Sequence, residues 1–299
     1  MIKFQEIELK DREWIDACLK EADLKGCEYS FANNFIWRKI YGPQVALVEG
    51  FYCTRNGKGK EKAYSYPAGK GDIKPVIEAL VQDAKERNER FILRSIPADK
   101  AEELETLFPG MFDIQTYRED SDYIYSTEKM ASLAGKKLHG KRNHIARFKD
   151  NPDWSFEEIT RDNIAEVFEM NLEWCKLYEE LEDESLNDEL SAVKEAFDNF
   201  EELALKGGFI RREGKIVAYS IGEPLNSDTF VIHIEKAFPG IQGAYPMINQ
   251  QFVQHFCMDF EYVNREEDLG DEGLRKAKLS YYPEIIYDKY TATLKEEQQ

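Results

Sequence analysis

Apolar residues recur along this chain with two different spacings, which together predict a mixed α/β fold. From Ile73 to Asn88 they return every three or four residues, the spacing of a helix with one buried face. The same spacing predicts helices at 163–181 and 187–206. Shorter apolar and β-branched runs bounded by glycine or polar residues predict strands. The predicted strands are Lys3–Glu8, Val45–Thr54, Glu61–Tyr66, Phe91–Arg94, Met111–Thr116, Tyr123–Tyr125, Trp154–Ile159, Phe209–Arg212, Ile216–Glu223, Thr229–Phe238, Glu261–Val263 and Ile285–Tyr290.

The two halves of the chain repeat one order of elements: strand, helix, hairpin strands, helix, strand, helix, strand. The hairpin of the first half turns at Asn56–Lys60, and that of the second half at Glu213–Gly214. A chain of 299 residues is long enough for two separate cores. The element order therefore predicts an α+β fold with mixed sheets, divided into a domain at 1–126, a basic connecting helix at 127–150 and a domain at 151–299.

Composition places the chain among folded globular proteins, with 42% hydrophobic and 13% aromatic residues. Its net charge of −18 makes it a poor general ligand for polyanions. Much of this charge lies between Glu166 and Glu202, where fourteen acids stand against two lysines. Apolar residues keep helical spacing there, so we interpret the acids as solvated helix faces.

The segment from Lys136 to Lys149 opposes this balance, with six Lys and Arg residues and no acid. Projected on a helix, its apolar residues fall in one arc, and three of its cations fall in or beside that arc. Such cations either snorkel past the packing surface or line a neighbouring cleft. A solvated linker helix is the alternative. The apolar residues are Ala134, Leu138, Ile145 and Phe148, and the cations are Lys141, Arg142 and Lys149.

The spacing of cysteines and histidines, and the absence of long apolar runs, disfavour metal-binding, secreted and membrane-spanning proteins. The five cysteines are scattered without a CxxC pair, as expected of free thiols in a reducing cytoplasm. Neither HExxH nor a Cys/His cluster with zinc spacing occurs, so we expect no metal. The N-terminus lacks an apolar signal region and no apolar run reaches about 18 residues, so we expect a cytoplasmic protein without a transmembrane segment.

A glycine-rich turn, Pro239–Ala244, joins a predicted strand to a helix. Backbone N–H groups at such a turn favour anions such as phosphate, which makes Gly240, Gln242 and Gly243 candidate ligand-binding residues. The alternative is an ordinary tight turn that needs glycine for its conformation. Walker A and G-x-G-x-x-G patterns are absent, which disfavours nucleotide hydrolysis and dinucleotide binding.

His233 and Glu235 lie two residues apart on one face of the strand before this turn. A histidine and a glutamate so placed could supply a general base beside a cleft, although solvated polar residues are the alternative. Further along, 264–275 departs from a calcium loop in the positions of its glycine and closing acid. Arg275 and Lys278, which follow, could bind an anionic group or pair with Asp268 and Asp271.

Several of these segments together resemble known families. The strand, loop and helix at 231–250 resemble the cofactor-binding core of GNAT-type acyltransferases. The pattern N-x-E-x-D-x-G-x-x-G-L-R-x-x-K-x-x-Y-x-P at 264–283, with the basic segment at 137–148, resembles the DUF2156 family. That family is similar to the C-terminal domain of phosphatidylglycerol lysyltransferases and, more distantly, to FemABX aminoacyl transferases. The resemblance covers essentially the whole chain and implies two tandem GNAT-like domains.

The resemblance implies an acyl or aminoacyl transferase without a tightly bound cofactor. The donor would be aminoacyl-tRNA or acyl-CoA, and the acceptor an amine or hydroxyl of a small molecule, peptide or lipid headgroup. The loop around Gly240 does not follow the Q/R-x-x-G-x-G/A pattern of acetyltransferases, which counts against acyl-CoA. Direct transfer would place His233 and Glu235 near the acceptor. The donor would meet Gly240, Gln242 and Gly243, with charge from Lys141, Arg142, Arg275 and Lys278.

Two alternatives remain open at this point. The chain could keep the fold as a non-catalytic module that binds a small ligand or a partner, since its loop departs from the acetyltransferase pattern. It could also bind nucleic acid without catalysis, although DNA binding is disfavoured by a pI near 4.8 and by the confinement of basic residues to one segment.

Overall fold

The computed structural model describes residues 1–57, 61–177 and 184–295, with the side chains of 184 and 185 excepted. Part of the predicted turn Asn56–Lys60 and the end of the helix predicted at 163–181 lie outside these ranges. The strands are β1 Gln5–Glu6, β2 Gln44–Val48, β3 Phe51–Asn56, β4 Ala63–Ser65, β5 Ile92–Pro97, β6 Phe112–Thr116, β7 Asp122–Ser126, β8 Trp154–Glu158, β9 Lys206–Arg212, β10 Lys215–Pro224, β11 Thr229–Ala237, β12 Tyr262–Asn264, β13 Ile285–Tyr287 and β14 Lys289–Leu294.

Helices cover the predicted apolar stripes, and the α+β prediction with mixed sheets is confirmed. The helix predicted from Ile73 is α4, and its buried Ile77, Leu80 and Ala84 pack into the core of the first sheet. None of the helices in the described ranges combines the length and apolar content needed to cross a bilayer. The helices are α1 Arg12–Ala22, α2 Phe31–Ile36, α3 Arg38–Tyr41, α4 Ile73–Arg87, α5 Ala98–Leu107, α6 Thr127–Ser132, α7 His139–Lys149, α8 Ile164–Lys176, α9 Glu184–Asp198, α10 Ala244–Phe252 and α11 Glu272–Leu279.

The chain divides into two units that are each discontinuous in sequence. Unit 1 comprises 1–122, 267–275 and 286–299, and unit 2 comprises 123–266 and 276–285. This division differs from the predicted boundaries at 126 and 150, which assigned everything after 150 to the second domain. The reason is β14, whose backbone groups pair with β5 and β6 of unit 1. The predicted connecting helix, α7, is part of unit 2.

The sheet of unit 1 has the order β1-β2-β3-β4-β5-β14-β6. Its strands pair antiparallel, except that β4 and β5 are parallel. β14 lies between β5 and β6, and its Ala292 is fully buried in the core. A strand from the end of the sequence therefore completes the interior of a sheet built from the first 116 residues.

The sheet of unit 2 has the order β13-β7-β12-β11-β10-β9-β8. Its parallel pair, β11 and β12, is short: Thr229–Val231 faces Tyr262–Asn264, and β11 then continues to Ala237 without β12 beside it. Here β11 also carries a β-bulge at His233, because Ile234 faces Ile221 while Ile232 faces the next residue, Gly222. The two strands thus separate where the predicted site residues begin.

Helix α7 packs its apolar stripe against the start of α10 in unit 2. Leu138, Ile145 and Phe148 are buried, as the helical projection predicts, while Ala134 is exposed. Gly243 precedes α10 with a φ of +84°, and a Cβ atom there would lie 2.3 Å from the carbonyl oxygen of His144. Glycine is therefore required both by the backbone conformation and by the close approach of α7.

A buried charge cluster holds the segments of unit 1 together. The Lys289 ammonium, 6% exposed, lies 2.8 Å from Asp122 Oδ1, 3.1 Å from Glu28 Oε1 and 3.6 Å from Glu267 Oε2. The Cys27 backbone N–H donates to Asp122 Oδ2 at 2.8 Å. Burial lowers the pKa of Lys289, but the surrounding carboxylates outweigh burial and hold that pKa well above its usual value. This cation is shared by acids from three separate stretches of chain.

Replacing Lys289 by methionine is expected to destabilise unit 1 by about 3–5 kcal/mol, because it leaves buried carboxylates without a counter-charge. Denaturant unfolding followed by circular dichroism measures this loss. Lys289→Met/Asp122→Asn should recover part of it, since one stranded charge is removed. Lys129→Met, which breaks an exposed pair with Glu284, is the control and should cost less than about 1 kcal/mol. Equal losses in Lys289→Met and Lys129→Met would contradict this role.

Candidate active site

A buried ion pair lies where β11 and β12 separate in unit 2. Arg265 Nη2 donates to Glu235 Oε1 at 2.7 Å, and Asn249 Nδ2 donates to Glu235 Oε2 at 3.0 Å. The side chains of Glu235 and Arg265 are only 9% and 13% exposed. Both carboxylate oxygens of Glu235 are therefore held, one by a cation and one by an amide.

Three elements bring these residues together. Glu235 lies on β11, Arg265 directly follows β12, and Asn249 projects from α10. The segment after β12 is fixed by Lys278, whose ammonium donates to the carbonyl oxygens of Arg265 at 2.5 Å and Glu266 at 3.1 Å. Lys278 is 6% exposed. Its charge therefore positions the backbone of Arg265, and the predicted direct role in anion binding finds no support in this geometry.

Two polar atoms of this group are buried without a hydrogen-bond partner among the described residues: Arg265 Nη1, a donor, and Asn249 Oδ1, an acceptor. The orientation of the Asn249 amide is fixed, because a carboxylate oxygen of Glu235 can only accept and so requires Nδ2 beside it. Each unsatisfied buried polar atom costs about 1–3 kcal/mol. The group thus contains one unused donor and one unused acceptor.

Lys141 of α7 belongs to the same group. Its Nζ lies 3.9 Å from the centroid of the Tyr281 ring, and Arg265 Cζ lies 5.0 Å from the same centroid. Burial and the nearby Arg265 charge lower the pKa of Lys141 to about 8, against a smaller opposing effect of Glu235. A lysine of this pKa is partly neutral near pH 7–8 and can accept a proton. The predicted cleft position of Lys141 thus places an amine beside the ion pair.

His233 occupies a different environment from the one expected of a general base. Its Nδ1 lies 2.8 Å from Glu266 Oε1 and its Nε2 lies 3.2 Å from Glu223 Oε1, and the side chain is 2% exposed. Burial lowers the pKa of His233, but its hydrogen bonds with Glu223 and Glu266 outweigh burial and raise the pKa to about 9. The ring is therefore protonated at neutral pH and has no free lone pair. This geometry contradicts the predicted base, and it makes His233 a cation that holds two glutamates.

The glycine-rich turn is exposed at its tip and buried where it meets α10. Gly240 and Gln242 are exposed at its tip, and a Cβ at Gly240 would meet no atom within 4 Å. Gly243 is buried against α7, which supports the alternative of a turn that needs glycine for its conformation. Arg142 donates to the carbonyl oxygens of Leu133 and Gly135, so its guanidinium closes the end of α6.

Arg275 belongs to unit 1, where it pairs with Asp268. Its Nε and Nη2 donate to the two oxygens of Asp268, both at 2.8 Å. Asp268 is fully buried, so the pair is a bidentate bridge that fixes the start of α11. Of the alternatives for Arg275, pairing with Asp268 is confirmed.

One group in the described residues has donor atoms close enough for a metal ion: Cys27, Asp122 and Glu267 of unit 1. The ammonium of Lys289 lies among these atoms, 2.8 Å from Asp122 Oδ1 and 3.8 Å from Cys27 Sγ. A buried ammonium already supplies the positive charge there. The donor set therefore fits an internal lysine better than a metal ion.

Of the residues in this group, Glu235 and Lys141 were predicted from the sequence as site residues, and Arg265, Asn249 and Tyr281 were not. In the sequence, Arg265 is one of several charged residues in 264–275, a segment that departs from the pattern of a calcium loop. Asn249 reads as an ordinary polar residue within an amphipathic helix. The signal that could have found Arg265 is its place directly after the strand that runs parallel to β11, since functional side chains often follow such strands.

Comparisons with known proteins agree with this architecture. A family model described as phosphatidylglycerol lysyltransferase, C-terminal, matches residues 20–293. A solved structure of a conserved protein of unknown function from Bacteroides thetaiotaomicron is 42% identical, with a TM-score of 0.95 over 99% of this chain and 100% of that chain. An uncharacterized protein of Mycoplasmoides gallisepticum is 25% identical over 185 residues, which are 60% of this chain and 58% of that protein. The chain thus spans less than two thirds of that curated relative.

Two more distant structures show the fold alone. L-PGS from Bacillus licheniformis is 17% identical, with a TM-score of 0.67 over 96% of this chain and 93% of that chain. FemX is 11% identical, with a TM-score of 0.64 over 97% of each chain. The predicted resemblance to phosphatidylglycerol lysyltransferase C-terminal domains is confirmed, and the fold is shared with FemX.

The charge state of His233 predicts a pH dependence of stability. Its pKa is about 9 in the folded chain and about 6.5 when unfolded, so its contribution is complete below pH 6.5 and is lost as pH rises towards 9. The difference in unfolding free energy between wild type and His233→Gln should shrink by about 3 kcal/mol across this range. Denaturant unfolding at several pH values measures the difference. An NMR titration that places the pKa of the His233 ring at or below 6.5 would contradict this prediction and make His233 a candidate general base again.

Proposed function

The chain belongs to the family of phosphatidylglycerol lysyltransferase C-terminal domains, and from this premise we propose that it moves an aminoacyl group from aminoacyl-tRNA to an amine or hydroxyl acceptor. The proposed site is the group in unit 2 formed by Glu235, Asn249 and Arg265, with Lys141 beside it. Glu235 keeps the place predicted from the sequence, although its role becomes that of an anchor for Arg265 and Asn249.

The observation that carries this proposal is the pair of unsatisfied atoms, Arg265 Nη1 and Asn249 Oδ1. An aminoacyl ester offers a carbonyl oxygen that accepts a hydrogen bond and, on the adjacent carbon, an α-amino group that donates one. The carbonyl would accept from Arg265 Nη1, and the α-amino group would donate to Asn249 Oδ1. Binding would satisfy both buried atoms in one step.

The reaction proposed is direct acyl transfer. The acceptor nitrogen or oxygen attacks the ester carbonyl, the carbonyl oxygen becomes an oxyanion, and the ester C–O bond then breaks to release the 3′-hydroxyl of the tRNA. Arg265 Nη1, already fixed by Glu235, would stabilise the oxyanion as charge develops on it. A donor held in place beforehand contributes more than a mobile one, because no reorganisation is needed during the reaction.

Lys141 is the proposed proton carrier. Its pKa of about 8 leaves about a tenth of the amine neutral at pH 7, so it could take a proton from the acceptor and return it to the leaving oxygen. His233 is unsuited to this step because both of its ring nitrogens are held by glutamates. It would instead keep Glu266 in place next to Arg265.

An acyl-CoA donor fits the group less well. A simple acyl group supplies a carbonyl for Arg265 but no donor, so Asn249 Oδ1 would remain unpaired in the complex. The departure of the glycine-rich turn from the acetyltransferase pattern points the same way. A non-catalytic module that binds an amino acid derivative would use the same atoms, and only a transfer assay distinguishes it from an enzyme.

Arg265→Lys and Asn249→Leu test the proposal. Arg265→Lys keeps a charge beside Glu235 but removes the second donor, and should reduce transfer about 10²–10³-fold. Asn249→Leu should reduce it about tenfold, the value of one hydrogen bond. The assay follows labelled amino acid from bulk aminoacyl-tRNA into an acceptor fraction that contains phosphatidylglycerol vesicles and small amines. Lys215→Gln, a substitution at an exposed lysine, is the control.

N-acetyl-aminoacyl-tRNA gives a sharper comparison, because acetylation removes the charge and a donor of the α-amino group. The wild type should discriminate against it, and Asn249→Leu should lose most of this discrimination. Equal use of both substrates by the wild type would contradict the role of Asn249. Binding of aminoacyl-tRNA without transfer to any acceptor would favour the non-catalytic module, and transfer from acetyl-CoA alone would overturn the proposal.

A further inference from the structure

The basic segment at 136–149 keeps four exposed cations, called the row here for their order along the chain, that the proposed reaction does not use. Lys136, Lys137, Arg147 and Lys149 are exposed, and they lie on or just before α7 in unit 2. His139 and His144 are exposed on the same helix. The inward-facing cations have other tasks, because Lys141 lies over Tyr281 and Arg142 binds carbonyl oxygens.

These four exposed cations lack a counter-charge. Some basic residues elsewhere in unit 2 are paired with acids, as Lys129 is with Glu284 and Arg211 with Glu166. Within the described part of the chain, none of the four forms an ion pair with a carboxylate. In a protein of net charge −18, an unneutralised row is available to an external anion.

The surface beside this row is concave. A depression of about 430 Å³ is lined by Gly135, Lys136, His139 and Arg142. It therefore combines the backbone of a glycine with three basic side chains. A chain of phosphates can enter a concavity of this kind, so the concavity suits such a chain better than a flat surface would.

From these observations we propose that the row Lys136, Lys137, Arg147 and Lys149, together with the adjoining depression, binds the phosphodiester backbone of RNA. The proposal rests on the proposed function, because it assigns the surface that meets the tRNA body. The α7 helix would then serve two parts of one donor. Its exposed cations would hold phosphates, while Lys141, which lies over the Tyr281 ring, would be near the aminoacyl end.

A bilayer surface fits this row less well. A helix that binds membranes exposes an apolar face next to its basic residues and buries that face among the lipids. In α7 the apolar residues Ile145 and Phe148 are already buried within unit 2, and Leu138 just before it is buried as well. The exposed ring of Tyr282 has its centroid 5.0 Å from Lys137 Nζ, but α7 itself presents charge without an exposed apolar stripe, as is typical of a phosphate-backbone surface.

The test compares two triple variants that remove the same charge. Lys136→Gln/Lys137→Gln/Arg147→Gln removes three cations of the row, and Lys176→Gln/Lys206→Gln/Lys215→Gln removes three exposed lysines elsewhere in unit 2. Binding of deacylated bulk tRNA is measured by fluorescence anisotropy from 50 to 300 mM salt. The first variant should bind on the order of 100-fold more weakly near 0.1 M salt, with a salt slope lower by about 2–3. The control should bind like the wild type.

Several outcomes would overturn the assignment. Equal tRNA affinity in the two triple variants, with both folded by circular dichroism, would show that the row is not the RNA surface. Loss of binding to phosphatidylglycerol vesicles with unchanged tRNA binding would reassign it to membranes.

The two proposals fail in distinguishable ways. Retained aminoacyl transfer with an unaltered tRNA affinity in the first triple variant would contradict the surface and leave the proposed function standing. A tRNA affinity that depends on the row, without transfer to any acceptor, would support the RNA surface and contradict the proposed function. Arg265→Lys should leave the affinity for deacylated tRNA unchanged, because that variant alters only the aminoacyl end of the site.

Discussion

The candidate site depends on the buried ion pair between Glu235 and Arg265. Two parallel strands that stayed together would satisfy their backbone groups and leave no room for a ligand. In unit 2 the pairing of β11 with β12 ends at Val231. Beyond that point the side chains of Glu235 and Arg265 connect the two strands, with 2.7 Å between Arg265 Nη2 and Glu235 Oε1. A buried pair of this kind is a modest source of stability, but it fixes directions. It leaves one arginine nitrogen and one amide oxygen buried without a hydrogen-bond partner among the described residues.

Two basic residues near this pair show how surroundings decide chemical roles. His233 lies between Glu223 and Glu266 and is held as a cation, with its pKa raised to about 9. Lys141 and Arg265 both lie close to the Tyr281 ring, and the pKa of Lys141 is lowered to about 8. His233, whose residue type usually accepts protons, is therefore already protonated. Lys141, whose residue type usually carries a charge, is partly neutral. Carboxylate neighbours stabilise the charged form of the first, and burial beside a cation destabilises that of the second.

Local patterns predicted much of the fold. The buried stripe of α7 and the strand around His233 follow from residue spacing alone. What spacing could not predict are contacts between distant segments. Glu223 and Glu266 reach His233 from 10 and 33 residues away, and they change a candidate base into a fixed cation. The same holds for β14, which completes a sheet formed by strands about 170–200 residues earlier in the chain. The predicted domains are therefore continuous stretches of sequence, whereas strand pairing assigns β14 to unit 1.

The most direct test of the central claim is a crystal structure of the protein with an amide-linked aminoacyl-adenosine, a stable analogue of the end of aminoacyl-tRNA. The account predicts that its carbonyl oxygen lies within hydrogen-bond distance of Arg265 Nη1 and that its α-amino group donates to Asn249 Oδ1. An analogue bound with its aminoacyl group away from Arg265, or bound only outside unit 2, would contradict the account.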